Sequence, residues 1–308
     1  MVGIITSGNW GKALWPGINA FWGRYYNANP AEWTPMFDTF TSRKQFEEDV
    51  ATTTLGLAAI KSEGGPIQYD SDAQSFLTRY SHIEYALGFI ISRIMVEDDL
   101  YDVAAEKRTR MLAFSMEQTK ERIAANIYNR AFSGSYLGGD GVSMISASHP
   151  LKAGGTASNQ LSIAANLSEA ALEQAFIDIK RFTNDRGHYI AVMPKTLIIP
   201  PELEFEATRI LRTSGANRSR PNSANNDLNA INELGSLKGG VHVNRFLTST
   251  TAWFLRTDVQ DGLKHWVRRP MEFTMDNDFD TDNAKYKATE RYSFGWSDFR
   301  GVYGTAGV

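Results

Sequence analysis

Residues 97–132 read EDDLYDVAAEKRTRMLAFSMEQTKERIAANIYNRAF, and this stretch decides the fold. Glu97, Asp98, Asp99 and Asp102 crowd its start, where a helix dipole favours anions, and Lys107, Arg108, Arg110, Lys120, Arg122 and Arg130 follow. Leu100, Val103, Ala104, Met111, Phe114, Ile123, Ile127 and Ala131 recur at three-to-four spacing, the period of a helix with one apolar face. Gly134 stands just past the end and suits a helix stop. About 35 residues at 1.5 Å rise span roughly 50 Å. That is long for a compact chain of 308 residues, so the helix reads as a spine on which other parts hang.

Upstream of the spine, residues 1–45 hold Trp10, Trp15, Phe21, Trp22, Tyr25, Tyr26, Trp33, Phe37 and Phe40, punctuated by Gly8, Gly11, Pro16, Gly17, Gly23, Pro30 and Pro35. That punctuation forbids a long helix. Each ring still needs about 150–250 Å² of cover. The segment is therefore an arm, lying either on its own chain or partly on a neighbouring subunit. Residues 50–60 suit a strand, Lys61-Ser62-Glu63-Gly64-Gly65-Pro66 a turn, and Ile67-Gln68-Tyr69 a return to extended chain. A two-stranded hairpin is marginal in water by itself, so this one rests on its own body or on another chain. Residues 85–91 read as a buried strand.

Downstream come a Gly-rich loop around Gly138-Gly139-Asp140-Gly141, then His149-Pro150 and Asn159. A helix is expected after Ser168, a good N-cap, with Ala171, Leu172, Ala175, Phe176, Ile179 and Phe182 inward and Gly187 closing it. Residues 189–193 and 196–199 read as buried strand, and Pro200-Pro201 opens a helix to about Arg212. This alternation implies a small α/β layer. Residues 214–229 form a polar, mobile surface loop with Arg218 and Arg220. Strands follow at 241–243, 252–255 and 266–267. In residues 285–303 Tyr286, Ala288, Glu290 and Tyr292 share one side of a long, curved, exposed sheet.

Composition closes several functional classes. The chain has no Cys, which removes thiol nucleophiles, thiolate metal sites and disulfides. Lys+Arg number 32 against Asp+Glu 35, a net charge of -3, which argues against charge-driven nucleic-acid binding. The start has no basic leader region, and no apolar run approaches the ~18 residues of a membrane span. No nucleophile elbow, P-loop or zinc-binding helix motif occurs, and His82, His149, His188, His242 and His265 have no metal-ligand spacing. His149 reads as a turn residue. The acidic run from Asp276 to Asp282 superficially resembles a Ca²⁺ loop but lacks the required Gly and Glu, and reads as a solvated turn. The basic run Lys264-His265-Trp266-Val267-Arg268-Arg269 is either a short nucleic-acid contact or an alternating strand edge. No cofactor or metal is expected.

The order of these parts carries a resemblance. An aromatic arm precedes a hairpin with Glu63-Gly64-Gly65-Pro66 at its turn, then Glu97-Asp98-Asp99-Leu100-Tyr101, Asp140-Gly141 and His149-Pro150. Met193-Pro194-Lys195-Thr196 and a closing Glu290-Arg291-Tyr292-Ser293-Phe294-Gly295-Trp296-Ser297-Asp298-Phe299-Arg300-Gly301 complete the series. The chain resembles the major capsid proteins of tailed bacteriophages, including Mu-like major head subunits, the fold shared with encapsulins. The resemblance implies an α+β fold with an N-terminal arm over 1–51, an extended hairpin loop over 52–90 and a peripheral domain with the spine helix over 91–140. It further implies an α/β axial domain over 141–262 and peripheral return strands over 263–308. It implies a non-catalytic major head protein that self-assembles, as hexamers and pentamers, into an icosahedral shell enclosing double-stranded DNA. The shell would be assembled in the host cytoplasm, with scaffolding, portal and decoration proteins as partners, no sequence-specific DNA binding and no membrane. The long charged scaffolding segment of many relatives is not seen here, which implies a separate scaffolding protein or a processed form. Lys61, Glu63, Gly64, Gly65 and Pro66, with Trp10, Trp15 and Trp22, are the expected intersubunit contacts. An encapsulin-type nanocompartment is the close alternative, and a carbohydrate-active enzyme a distant one that needs paired carboxyl groups about 5–10 Å apart.

Overall fold

A computed structural model of the chain describes residues 22, 25–26, 30–92, 94, 101–211, 237–278 and 283–308. Trp10, Trp15, the acidic triplet 97–99 and the polar loop 214–229 lie outside them. In chain order the strands and helices are β1 (Asp38–Thr41), β2 (Phe46–Thr52), β3 (Gln74–Ser81), β4 (Ile83–Ile91) and α1 (Tyr101–Asn129). Then come β5 (His149–Pro150), β6 (Thr156–Ala157), α2 (Glu169–Lys180), β7 (Pro194–Ile199), α3 (Glu204–Leu211), β8 (Val241–Val243) and β9 (Trp253–Thr257). The chain closes with β10 (Leu263–Asn277), β11 (Ala284–Trp296) and β12 (Val302–Thr305).

The spine forms as α1, but its buried stripe differs from the apolar count. Thr109, Leu112, Ala113, Met116, Glu121, Ala124, Ala125 and Tyr128 face inward, whereas Met111 and Phe114 are exposed. Small Ala113, Ala124 and Ala125 let the helix lie close on a four-stranded sheet ordered β1-β10-β11-β4. Strands β10 and β11 make a long antiparallel ribbon from Leu263↔Trp296 to Asn277↔Ala284, with β1 parallel to β10 and β4 antiparallel to β11. Tyr286, Ala288, Glu290 and Tyr292 do share one side, yet that side is covered by the spine and not exposed. Tyr85 stacks on Tyr292 at 4.8 Å and Phe89 on Tyr286 at 4.9 Å. Strand β4 was expected to be buried. As the sheet edge it instead leaves Ile83, Leu87 and Ile90 in solvent.

The second sheet runs β12-β9-β7-β8, with β7 parallel to β8 and the other pairs antiparallel. Its strand β7 is buried at Thr196, Leu197, Ile198 and Ile199, while residues 189–193 contribute only an isolated bridge at Tyr189. Helix α2 begins where expected, since Ser168 Oγ accepts the Ala171 N–H at 3.2 Å, but it ends at Lys180, ahead of Gly187. Leu172, Ala175, Phe176 and Ile179 pack with Trp253, Leu255 and Tyr303 into this sheet's core. Within residues 263–308, the closing strand β12 pairs with β9 here and does not rejoin the ribbon.

Asp298-Phe299-Arg300-Gly301 makes the crossing between the two sheets. Asp298 caps the turn by accepting the Arg300 N–H at 2.9 Å. The Arg300 guanidinium donates to Thr183 O at 2.8 Å and to Asp185 at 3.2 Å. Gly301 passes Gly262 so closely that a Cβ on either would lie 2.6–2.8 Å from the other's Cα. Only glycine permits that approach.

Candidate functional site

Strands β2 and β3 pair from Phe46↔Ser81 to Thr52↔Gln74, and the ladder then stops. Residues 53–73 project as a loop without strand pairing, so the expected strands over 50–60 and 67–69 extend only as far as Thr52. At the tip the Gly65 N–H donates to Ser62 O at 3.0 Å, and Gly64 takes a φ of 75°, the left-handed geometry its sequence position anticipates. Lys61, Glu63, Gly64 and Pro66 are exposed and Gly65 is half-buried by its own turn. Leu57 is 81% exposed, Ile60 102% and Tyr69 89%, with Leu55 and Ile67 also in solvent. Such side chains gain about 1.5–3 kcal/mol each when buried, and their own chain does not bury them.

The lower part of this loop is anchored. Asp70 accepts the Gly56 N–H at 2.7 Å and the Ser71 N–H at 2.9 Å, and these amides, with Arg186, hold its carboxyl below the usual range. Arg186 donates to Asp70 at 2.7 Å and to Ser71 O at 2.7 Å, while Asn184 reaches Thr54 Oγ1 at 2.7 Å. The turn after α2 therefore clasps the loop from its own subunit. Neither Asp70 nor Arg186 stands out in sequence, because their pairing spans more than a hundred residues.

Deeper still, the root of the hairpin is wired to the ribbon. Lys264 Nζ lies 2.6 Å from Asp49 and 2.7 Å from Asp261, and Ser297 Oγ bridges Asp49 and the Tyr80 hydroxyl at 2.5 Å each. Burial pushes the Tyr80 phenol well above its usual range. Lys264 and His265 are thus interior, and Arg269 pairs with Glu84 and Glu272. The basic run is a strand of the ribbon and offers no continuous cationic surface.

Trp22, expected at an intersubunit contact, is buried by its own chain. Its ring stacks on Phe273 at 4.7 Å and on Tyr26 at 5.4 Å. His149, read from sequence as a turn residue, is fully buried and stacks on Phe299 at 4.1 Å. Its Nδ1 faces Asp140 at 2.6 Å and its Nε2 faces Asn159 Oδ1 at 3.2 Å. Asn159 Nδ2 donates to the carbonyls of Met144, Phe299 and Val302 at 2.8–3.0 Å. Asp140, His149 and Asn159, scattered in sequence, form one structural staple that ties the 140–159 segment to the crossing at Phe299 and to the start of β12. Among the described residues no group of three or more His, Asp or Glu is arranged to hold a metal, and no helix is long and apolar enough to cross a membrane.

Three solved structures share this arrangement at low identity. The procapsid protein of bacteriophage JBD30 matches with a TM-score of 0.54 and 13% identity, over 98% of this chain and 76% of that one. The capsid of cyanophage P-SCSP1u matches with a TM-score of 0.55 and 9% identity, over 87% and 85%. A virus-like particle from Pyrococcus furiosus matches with a TM-score of 0.50 and 12% identity, over 94% and 98%. These likenesses are of fold. By sequence, no curated protein matches the chain. The phage capsid protein family matches residues 77–305, from the returning strand of the hairpin to the last strand of the second sheet. With well over half of its length matched, the chain belongs to the phage capsid protein family.

Proposed function

We propose that this capsid protein closes its shell by laying the 53–73 loop over a neighbouring copy. The apolar side chains Leu57, Ile60, Ile67 and Tyr69, held clear of their own subunit, are the observation that carries this reading. Lys61, Glu63, Gly64, Gly65 and Pro66 meet the neighbour at the loop tip. Trp10 and Trp15 contribute from the arm, while Trp22 serves its own core. The copies form hexamers and pentamers of an icosahedral head around double-stranded DNA, in the manner of Mu-like head subunits. Scaffolding, portal and decoration proteins join them in the host cytoplasm, and the subunit performs no catalysis. Arm 1–51, loop 52–90, peripheral segments 91–140 and 263–308, and axial segment 141–262 are its working parts, with β4 of the loop segment pairing in the ribbon's sheet and β12 of the last segment in the second sheet. The mild net charge of -3 suits an inner wall that neither grips DNA nor impedes its exit.

Deletion of residues 55–75 tests this directly. The shortened chain should stay soluble and monomeric in size-exclusion chromatography, and negative-stain images should show no shells. Normal shells from that variant would overturn the proposal. Particles purified from the infected host should carry DNA, and particles filled with protein cargo would move the assignment to a nanocompartment.

A further inference from the structure

A cleft of about 280 Å³ opens beside the spine, between α1 and the segment that leads into β1. Glu121 lines it, only 7% exposed, and its two oxygens are treated unequally. Oε1 accepts the Glu32 N–H at 2.8 Å and the Trp33 amide also favours the ionised carboxyl, whereas Oε2 is buried with no partner at hydrogen-bond geometry. The cations at the cleft are committed elsewhere. Lys120 pairs with Glu290 at 3.3 Å, and Arg245 pairs with Glu32 at 2.5 Å. Glu117 and Tyr26 also face the cleft, and Trp33, Phe114 and Phe246 supply its aromatic walls.

We propose that the cleft binds one alkylammonium or alkylguanidinium group, with Glu121 Oε2 receiving the charged head and the aromatic walls flanking the aliphatic stem. A buried carboxylate oxygen without a donor leaves a desolvation cost that a charge-assisted hydrogen bond removes. Aromatic faces add attraction for an ammonium or guanidinium. A hard divalent cation fits less well, because calcium needs six to eight oxygen ligands and no group of three or more His, Asp or Glu among the described residues is arranged to hold a metal. The space matches a short alkyl chain better than a bare ion. The head comes either from a free amine or from a Lys or Arg side chain of another copy. Burial raises the Glu121 carboxyl to about 7, so binding to the ionised form strengthens as pH rises past neutrality.

The test is calorimetric titration of n-butylammonium and n-butylguanidinium into the unassembled full chain, with 1-butanol as the neutral control. Binding should be seen for the two cations and not for butanol, and should tighten by about tenfold between pH 6 and 8. Glu121→Gln should weaken it by about tenfold or more, with an unchanged far-UV spectrum showing the variant folded. Equal binding to assembled shells identifies a free amine as the ligand, and binding confined to the unassembled chain identifies a side chain of a second copy. Absence of cation binding to the unassembled wild-type chain, or pH-independent binding, overturns the proposal even if the variant does not fold. The free-chain result does not depend on the shell-closing role of the loop.

Discussion

Glu121 and His265 respond to pH with opposite sign. Burial raises Glu121 to about 7 from 4.5, so it contributes stability that is fully present below about 4.5 and lost as pH rises through about 7. His265, stacked on Phe294 at 4.3 Å, is lowered by burial and by Lys120 to about 3. Its contribution is fully present above about 6.5 and lost as pH falls toward 3. His82 and His242 are lowered by burial in the same sense as His265. In wild type the carboxyl and the imidazoles offset one another on mild acidification. Glu121→Gln removes one side, so its stability should fall between pH 7 and 5 by on the order of 2 kcal/mol more than wild type. Urea midpoints at the two pH values measure this, and an unchanged slope would count against the account. Asn159→Leu strands three buried carbonyls and the partner of His149. It should cost about 3 kcal/mol or more in chemical denaturation, and a loss below about 1 kcal/mol would refute the staple. Asp140, His149 and Asn159 are visible in sequence only as loop punctuation, because their bonds run between distant segments.

At the scale of elements, the clasp between Arg186 and Asp70 governs the direction of the loop more than it governs folding. Both side chains are partly solvated, and exposed ion pairs stabilise little. Arg186→Ala should leave the thermal midpoint unchanged while speeding protease cleavage within residues 55–70 severalfold. Equal cleavage rates would show that the clasp does not restrain the loop. The hairpin turn was legible, since Gly64 and Pro66 punctuate it locally. Its strands were over-extended because Leu57, Ile60 and Ile67 look like ladder residues whether or not a partner strand exists. The spine was legible for a similar reason and misjudged in detail. Spacing counted Met111 and Phe114 as core, yet Thr109, Glu121 and the small Ala113, Ala124 and Ala125 take the inward face beside Leu112, Met116 and Tyr128. The α/β layer was readable from Ser168 and the apolar run ending at Ile199, whereas the return of the chain end to that layer was not.

Among the described residues, the apolar side chains left in solvent on the 53–73 loop and on the edge strand β4 are what a family of shell proteins leads one to expect from a single subunit. Repeated contacts in a closed assembly let each interface be modest. Ile60→Lys combined with Ile67→Lys changes only exposed positions, so the subunit should fold to within about 0.5 kcal/mol of wild type. It should nevertheless fail to form particles in sedimentation, and particles of normal size and yield would show that the loop is dispensable. The family match begins at Leu77, within the returning strand of the hairpin. The crossing at Gly262 and Gly301 has a mechanical corollary. Backbone touches backbone there with no side chain to yield, so the two sheets are welded at a fixed angle. Any difference in curvature between positions around a closed surface then falls to parts away from that crossing, the finger above its clasp among them.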